Sequence, residues 1–174
     1  RYPHAKVIAA EALQCPTLLR NGFGEHRIEG IGDKHIPWIH NVRNTDMVVG
    51  VDDADTIDLM RVFNEPAGRG YLSRMGVDPA TIERLDKLGI SCIGNLLAAI
   101  KAAKYWELGP EDVIVTVFTD SMQLYNSRIA EEQERDGALD EIGAARAVAR
   151  ALEGQGIENA LELTYYDRLR IHNL

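Results

Sequence analysis

Cysteine is scarce in this chain: Cys15 and Cys92 are the only two among 174 residues, far apart and without C-x-x-C spacing. A disulfide framework needs more cysteines at closer spacing, so that class is excluded and a reduced, cytoplasmic setting is expected. Long apolar runs are also missing. The longest are strand-sized, well short of the ~20 residues with which a helix crosses a bilayer. Basic charge is in the minority, 19 Lys and Arg against 27 Asp and Glu, for a net charge of −8. A general nucleic-acid binder needs a basic surface for its phosphate contacts, so nucleic acid is not an expected partner. No internal repeat or low-complexity segment is present. Neither a Met nor a signal peptide precedes Arg1, and His172-Asn173-Leu174 stops without a turn, so both ends read as cut.

What is present is ordinary for a soluble domain: 45% hydrophobic and 26% charged residues. A chain of this length fits one domain or most of one and buries roughly two thirds of its unfolded surface. Lys6 to Ala10 and Met47 to Val51 read as buried strands. Between them, residues 15–45 carry Gly22, Gly24, Gly30, Gly32, Pro16 and Pro37, a long loop whose glycines let backbone approach a ligand. Asp52 starts a helix, with Asp55 in a weak capping-box spacing. Asn64 to Met75, with Pro66, Gly68 and Gly70, reads as a loop. Asp78-Pro79 opens the next helix, which ends at Gly89. Gly89 to Cys92 is expected as a short strand leading into a helix from Asn95 to about Glu107. Val113 to Phe118 is an almost unbroken apolar run, expected as a strand of the kind found in parallel sheets covered on both faces. From Ile129 the chain is helical and charged, with Glu131, Glu132, Glu134, Arg135, Asp136, Asp140 and Glu141 on a solvated face.

Strands alternating with helices predict an α/β fold: an open, mostly parallel sheet with helices on both faces. In such sheets ligands bind beyond the carboxyl ends of the strands. The glycine loop, Ser91 and Thr119-Asp120-Ser121 all follow predicted strands, so the topology places them at one crevice.

Three segments also resemble cysteine synthases and the related cystathionine β-synthases, in order. His26-Arg-Ile-Glu-Gly-Ile-Gly-Asp-Lys-His-Ile-Pro37 is similar to the family's His-Lys-Ile-Gln-Gly-Ile-Gly-Ala-Gly-Phe-Ile-Pro. Gly89-Ile-Ser-Cys-Ile-Gly-Asn95, with the alanine-rich stretch after it, is similar to Gly-Ile-Ser-Ser-Gly-Ala-Asn. Val113 to Tyr125 resembles the strand and Asp-Ser turn that follow. The likeness covers roughly residues 5–128 and leaves out the acidic tail. It implies a fold type II, tryptophan synthase β-like enzyme that uses pyridoxal 5'-phosphate. Residues 1–128 would be the C-terminal part of its cofactor-binding α/β domain, and residues 129–174 a charged helical extension. A small amino-acid substrate, a homodimer and contact with a missing N-terminal part are implied as well.

The resemblance assigns Ser91 to the pyridine nitrogen of the cofactor, Gly30, Ile31 and Gly32 to the loop beside it, and Thr119 and Asp120 to the turn flanking the ring nitrogen. It implies β-replacement or β-elimination on an amino acid with a Cβ leaving group. No catalytic residue falls within the chain, because the family's Schiff-base lysine and phosphate loop lie upstream. None of Lys6, Lys34, Lys87, Lys101 and Lys104 stands in that lysine's context. Asp33-Lys34-His35 and Ile93-Gly94 depart from the family pattern near the substrate entrance, marking a divergent member.

Other readings of the same residues compete. Ser91 also suits a helix cap, and the match of its whole motif decides for the cofactor. Gly22-Phe-Gly24 lacks the closing glycine of a dinucleotide fingerprint. His26, His35, His40 and Asp33 fit no compact metal motif, so no metal is expected. Cys92 reads as buried packing. A non-catalytic binding or regulatory subunit of the same fold is the alternative, with the Asp33-Lys34-His35 loop and acidic tail as its partner surface.

Overall fold

Met47-Val-Val-Gly-Val51 is buried at every position because a β-branched run is well suited to a strand with neighbours on both sides and cover on both faces. The computed structural model, which describes residues 4–174, places this strand (β2) at the centre of a three-stranded sheet. β1 (Ile8–Ala12) pairs with it in parallel, Ile8 opposite Met47 and Ala12 opposite Val51. β3 (Ala160–Glu162) pairs antiparallel on its other edge, Met47 opposite Glu162. The sheet is therefore mixed, where a mostly parallel one is expected from the sequence.

Side-chain alternation along β2 divides the core. Met47, Val49 and Val51 point into the larger cluster, built with α2 (Asp53–Asn64), α3 (Pro66–Arg74), α5 (Ile90–Tyr105) and α7 (Glu141–Ala147). Val48 points the other way, against Leu18 and Leu19 of α1 (Thr17–Arg20) and Ile171 of α8 (Tyr165–His172). Helices thus cover both faces. Each fully buried aliphatic side chain contributes ~1.5–3 kcal/mol, so this sandwich dominates stability. No helix among the described residues is long and apolar enough to cross a membrane.

Local signals set most boundaries. Asp52 caps α2 by accepting from the Ala54 N–H at 2.8 Å. Asp78 caps α4 (Pro79–Arg84) by accepting from Thr81 N–H at 3.0 Å. The strand at Lys6–Ala10 lies two residues further on, at Ile8–Ala12.

Three expectations are overturned. Residues 66–74 form α3, not a loop. Pro66 occupies the first turn, where its missing N–H costs nothing, and Gly68 lies so close to the Val62 backbone that a Cβ would stand 2.2 Å from its carbonyl oxygen. Gly89 to Cys92 form no strand. Gly89 is the N-cap of α5, which starts at Ile90, five residues before Asn95. Residues 113–118 also form no strand. The run is exposed, and among the described residues no backbone hydrogen bond reaches it.

The charged region is less solvated than its composition implies. Glu132 of α6 (Asn126–Asp136) is buried, paired with Arg27 and, at 2.6 Å, with Arg135. Ala144, Ala147, Val148 and Ala151 enter the larger core cluster. Glu65 lies in the same region, where burial alone would raise its pKa. Hydrogen bonds from Arg61, the Leu139 N–H and Gln133 outweigh that and hold it below its ordinary value.

Candidate functional site

The start of α5 gathers the sequence motifs. The Gly89 N–H donates to the Asp120 carbonyl at 3.1 Å. A Cβ on Gly89 would stand 1.9 Å from Asp120 Oδ1, so no other residue fits without moving the turn. Two residues on, Ser91 is 3% exposed, and its Oγ shares a 3.3 Å hydrogen bond with Thr119 Oγ1. Thr119 itself is exposed, the outward member of the hydroxyl pair.

The glycine loop closes over this pair. Gly30 has φ +95°, and a Cβ there would come within 3.2 Å of Ser91 Cβ and 3.3 Å of its Oγ. Conformation and contact both favour a residue without a side chain. Ile31 packs toward α5, its Cδ1 3.0 Å from where a Cβ on Gly94 would lie. Gly32, at φ +88°, sits beside the Ala12 N–H at the carboxyl end of β1. All six residues assigned from the sequence therefore belong to one neighbourhood. Gly30, Ser91, Thr119 and Asp120 form its centre, with Ile31 and Gly32 as the loop that leads in.

Several supporting residues escape a sequence reading. Tyr125 donates its hydroxyl to Asp120 Oδ2 at 2.5 Å, and the Cys92 thiol donates to Asp120 Oδ1 at 3.3 Å. Asp120 is thereby anchored through its carboxylate and its carbonyl. Burial, reinforced by the adjacent Asp120 carboxylate, pushes the Tyr125 hydroxyl far above the usual tyrosine range, so it remains a proton donor. The aromatic after the Asp-Ser turn was the available signal. Cys92 is fully buried, as its packing role predicts.

The loop is pinned from below. Asp53, the first residue of α2, accepts from the Arg27 N–H at 2.5 Å. Burial raises its pKa, which that hydrogen bond and the charge of His26 partly offset. Arg128 Nε donates to Glu29 at 2.7 Å. A carboxylate at a helix start reads as a cap in sequence, and its second use as a loop anchor leaves no signal there. A cleft of about 430 Å³ opens on the loop, bordered by Ala10, Glu11, Gly30, Gly32, His35 and Pro37. Among the described residues, no group of three or more His, Cys, Asp and Glu could hold a metal ion.

Chemically, the arrangement offers two neutral hydroxyls beside a backbone wall without side chains. The neighbouring carboxylate is already engaged by Tyr125 and Cys92. It suits a flat ligand edge with a hydrogen-bonding atom.

No family model matches the chain. It is 30% identical over 121 residues to cysteine synthase B of Campylobacter jejuni, covering 70% of this chain and 33% of that protein. Against a cysteine synthase of Staphylococcus aureus it is 27% identical over 126 residues, 72% of this chain and 34% of that protein. In structure it resembles a hydrogen sulfide-producing enzyme of Fusobacterium nucleatum, with TM-score 0.53 and 28% identity, covering 91% of this chain and 40% of that one. A variant of a hydrogen sulfide-producing enzyme, complexed with an α-aminoacrylate intermediate, gives TM-score 0.55 at 28% identity over 93% of this chain and 41% of that one. The chain spans about a third of the length of the curated relatives it matches. It is thus similar to cysteine synthases in sequence and to hydrogen sulfide-producing enzymes in fold.

Proposed function

We propose that this chain is part of a pyridoxal-phosphate-dependent enzyme that performs β-replacement or β-elimination on an amino acid with a Cβ leaving group. The observation that carries this reading is the meeting of Ser91, Thr119 and Gly30 at the start of α5. These residues fit the cofactor's pyridine edge. Ser91 supplies a hydroxyl to the ring nitrogen, Thr119 orients that hydroxyl, and Gly30 and Gly32 leave the ring face clear.

The bound cofactor supplies an electron sink. A hydroxyl partner would leave its ring nitrogen largely unprotonated and the sink moderate, suited to elimination and replacement at Cβ. Asp120 is kept from that nitrogen by Tyr125 and Cys92, so the neutral hydroxyl prevails. Ile31 closes the loop against α5 and excludes water behind the ring.

Two of the lysines are engaged by backbone carbonyls outside this cluster. Lys101 Nζ donates to the Glu158 carbonyl at 2.8 Å and Lys104 to the Glu153 carbonyl at 3.3 Å, while Lys34 is exposed on the loop. The lysine that holds the cofactor and moves the substrate proton belongs to the rest of the enzyme. Residues 1–128 are the C-terminal part of its cofactor-binding domain, of tryptophan synthase β-like fold, and residues 129–174 a charged extension. A cytoplasmic homodimer completes the reading. Sulfide is either consumed or released, in keeping with the names of the relatives.

The test is the visible absorption spectrum of the full-length protein carrying this chain, before and after O-acetylserine or another β-substituted amino acid. A visible band that shifts on addition is expected. A protein that stays colourless with added pyridoxal phosphate would overturn the enzyme reading in favour of a non-catalytic subunit.

A further inference from the structure

Two buried polar atoms beneath the glycine loop have no hydrogen-bond partner, Asp53 Oδ1 and His26 Nδ1. Buried polar groups are nearly always satisfied, so an orphan pair in one place calls for a bridge. The backbone sets the two side by side. The Arg27 N–H, on the peptide bond that follows His26, donates to the other oxygen of the same carboxylate at 2.5 Å. Asp53 is 6% exposed, so its free oxygen is out of reach of bulk water.

The charged groups nearby are already engaged. Among the described residues, Arg27 pairs with Glu132, Arg128 with Glu29 and Glu131, and Arg135 with Glu132 and Asp136. Asp52 accepts from the Ala54 N–H and from Gln14. The charge of His26 acts on Asp53, which puts the ring within electrostatic reach of the carboxylate. The other ring nitrogen faces the loop. His26 Nε2 would lie 3.3 Å from a Cβ on Gly32, so the imidazole fills the space behind that glycine. Gly32, at φ +88°, borders the cleft on the loop.

We propose that one buried water joins His26 Nδ1–H to Asp53 Oδ1, and that the ring held in this way is the prop that positions Gly32. The two atoms make no direct bond, and a water accepts from one and donates to the other. The imidazole is thereby fixed as the Nδ1–H tautomer, with a bare lone pair on Nε2. Asp53 then grips the loop twice, at the Arg27 backbone and at the His26 ring. His26 is a positioning residue that acts on the cleft through Gly32. The inference does not use the cofactor reading.

The test uses the full-length protein carrying this chain, with nitrogen-15 in its histidine rings and mildly alkaline buffer. Loss of a signal in His26→Asn identifies the His26 ring. The native ring should show the Nδ1–H pattern. Asp53→Asn should convert it to Nε2–H, because the new amide oxygen stays on the Arg27 N–H and its NH2 meets the water. Amides of residues 28–32 should exchange about tenfold faster in His26→Leu and in Asp53→Asn, with no further increase in the double variant. His26→Asn, whose amide keeps a donor near the place of Nδ1, should retain most of the protection. An Nε2–H or doubly protonated ring in the native protein would overturn the proposal. So would a tautomer unmoved by Asp53→Asn, or exchange effects that simply add. Where the variants fail to fold, the native tautomer decides.

Discussion

Residues 113–118 and 119–121 are adjacent, yet their environments are opposite to what hydropathy implies. The six residues of the first stretch are mostly apolar, and all six are exposed, with no backbone partner among the described residues. The next three are polar, and they enter a network. Thr119 bonds Ser91, while Asp120 holds Gly89 through its carbonyl and Tyr125 and Cys92 through its carboxylate. Order at a site follows from partners in place. Apolar content alone does not make a strand, because a strand needs a neighbour to satisfy its backbone.

The contrast can be broken most severely at Gly89. In Gly89→Ala the new methyl would overlap the Asp120 carboxylate, so the turn must move. A loss of ~2–3 kcal/mol is expected in urea unfolding. A loss below ~0.5 kcal/mol would show that the turn is not held as described. Gly30→Ala is next, with ~1–2 kcal/mol from its positive φ plus the contact with Ser91. The same unfolding assay measures it.

Tyr125→Phe removes one hydrogen bond to Asp120 and should cost ~1–1.5 kcal/mol. It also sharpens the comparison through pH. The folded pKa of Tyr125 is raised above its ordinary 10.0, so its contribution is fully present below that value and is lost as pH rises toward the folded pKa. The native protein should lose stability above about pH 10 by an increment that Tyr125→Phe lacks. Equal alkaline slopes in the two proteins would refute the assignment. At the other end of the scale, Val115→Asp should change the stability of the isolated chain by less than ~0.5 kcal/mol, since Val115 touches solvent.

Much of the site was legible because its parts are local motifs. Gly30 and Gly32 signal backbone that must adopt positive φ, and both do. The Gly89-Ile-Ser91 and Asp120-Ser121 pairs sit in short segments whose order is preserved, and the structure brings them into contact. β2 was legible because a five-residue apolar run fits a central strand. The Asp78-Pro79 helix start was legible from capping chemistry alone.

What was missed depends on distance in the chain or on the absence of a neighbour. Glu29 and Arg128 pair across 99 residues, and nothing in either local sequence announces it. Tyr125 was noted as an aromatic, but its bond to Asp120 depends on how the turn closes. Pro66, Gly68 and Gly70 look like breakers, whereas Pro66 begins α3 and Gly68 allows Val62 to approach. The Gly89–Cys92 segment reads as a strand because Ile90 and Cys92 are apolar. Ile90 is fully buried from the first turn of a helix instead.

The role of Ser91 is tested most directly by the visible spectrum of the full-length protein and of its Ser91→Ala, Ser91→Asp and Thr119→Ala variants, each titrated with pyridoxal phosphate. The account predicts a displaced band in both Ser91 variants, in opposite senses for the added carboxylate and the lost hydroxyl, and a smaller displacement for Thr119→Ala. Spectra in which the Ser91 variants bind the cofactor and match the native protein would contradict it, because the ring nitrogen would then have another partner.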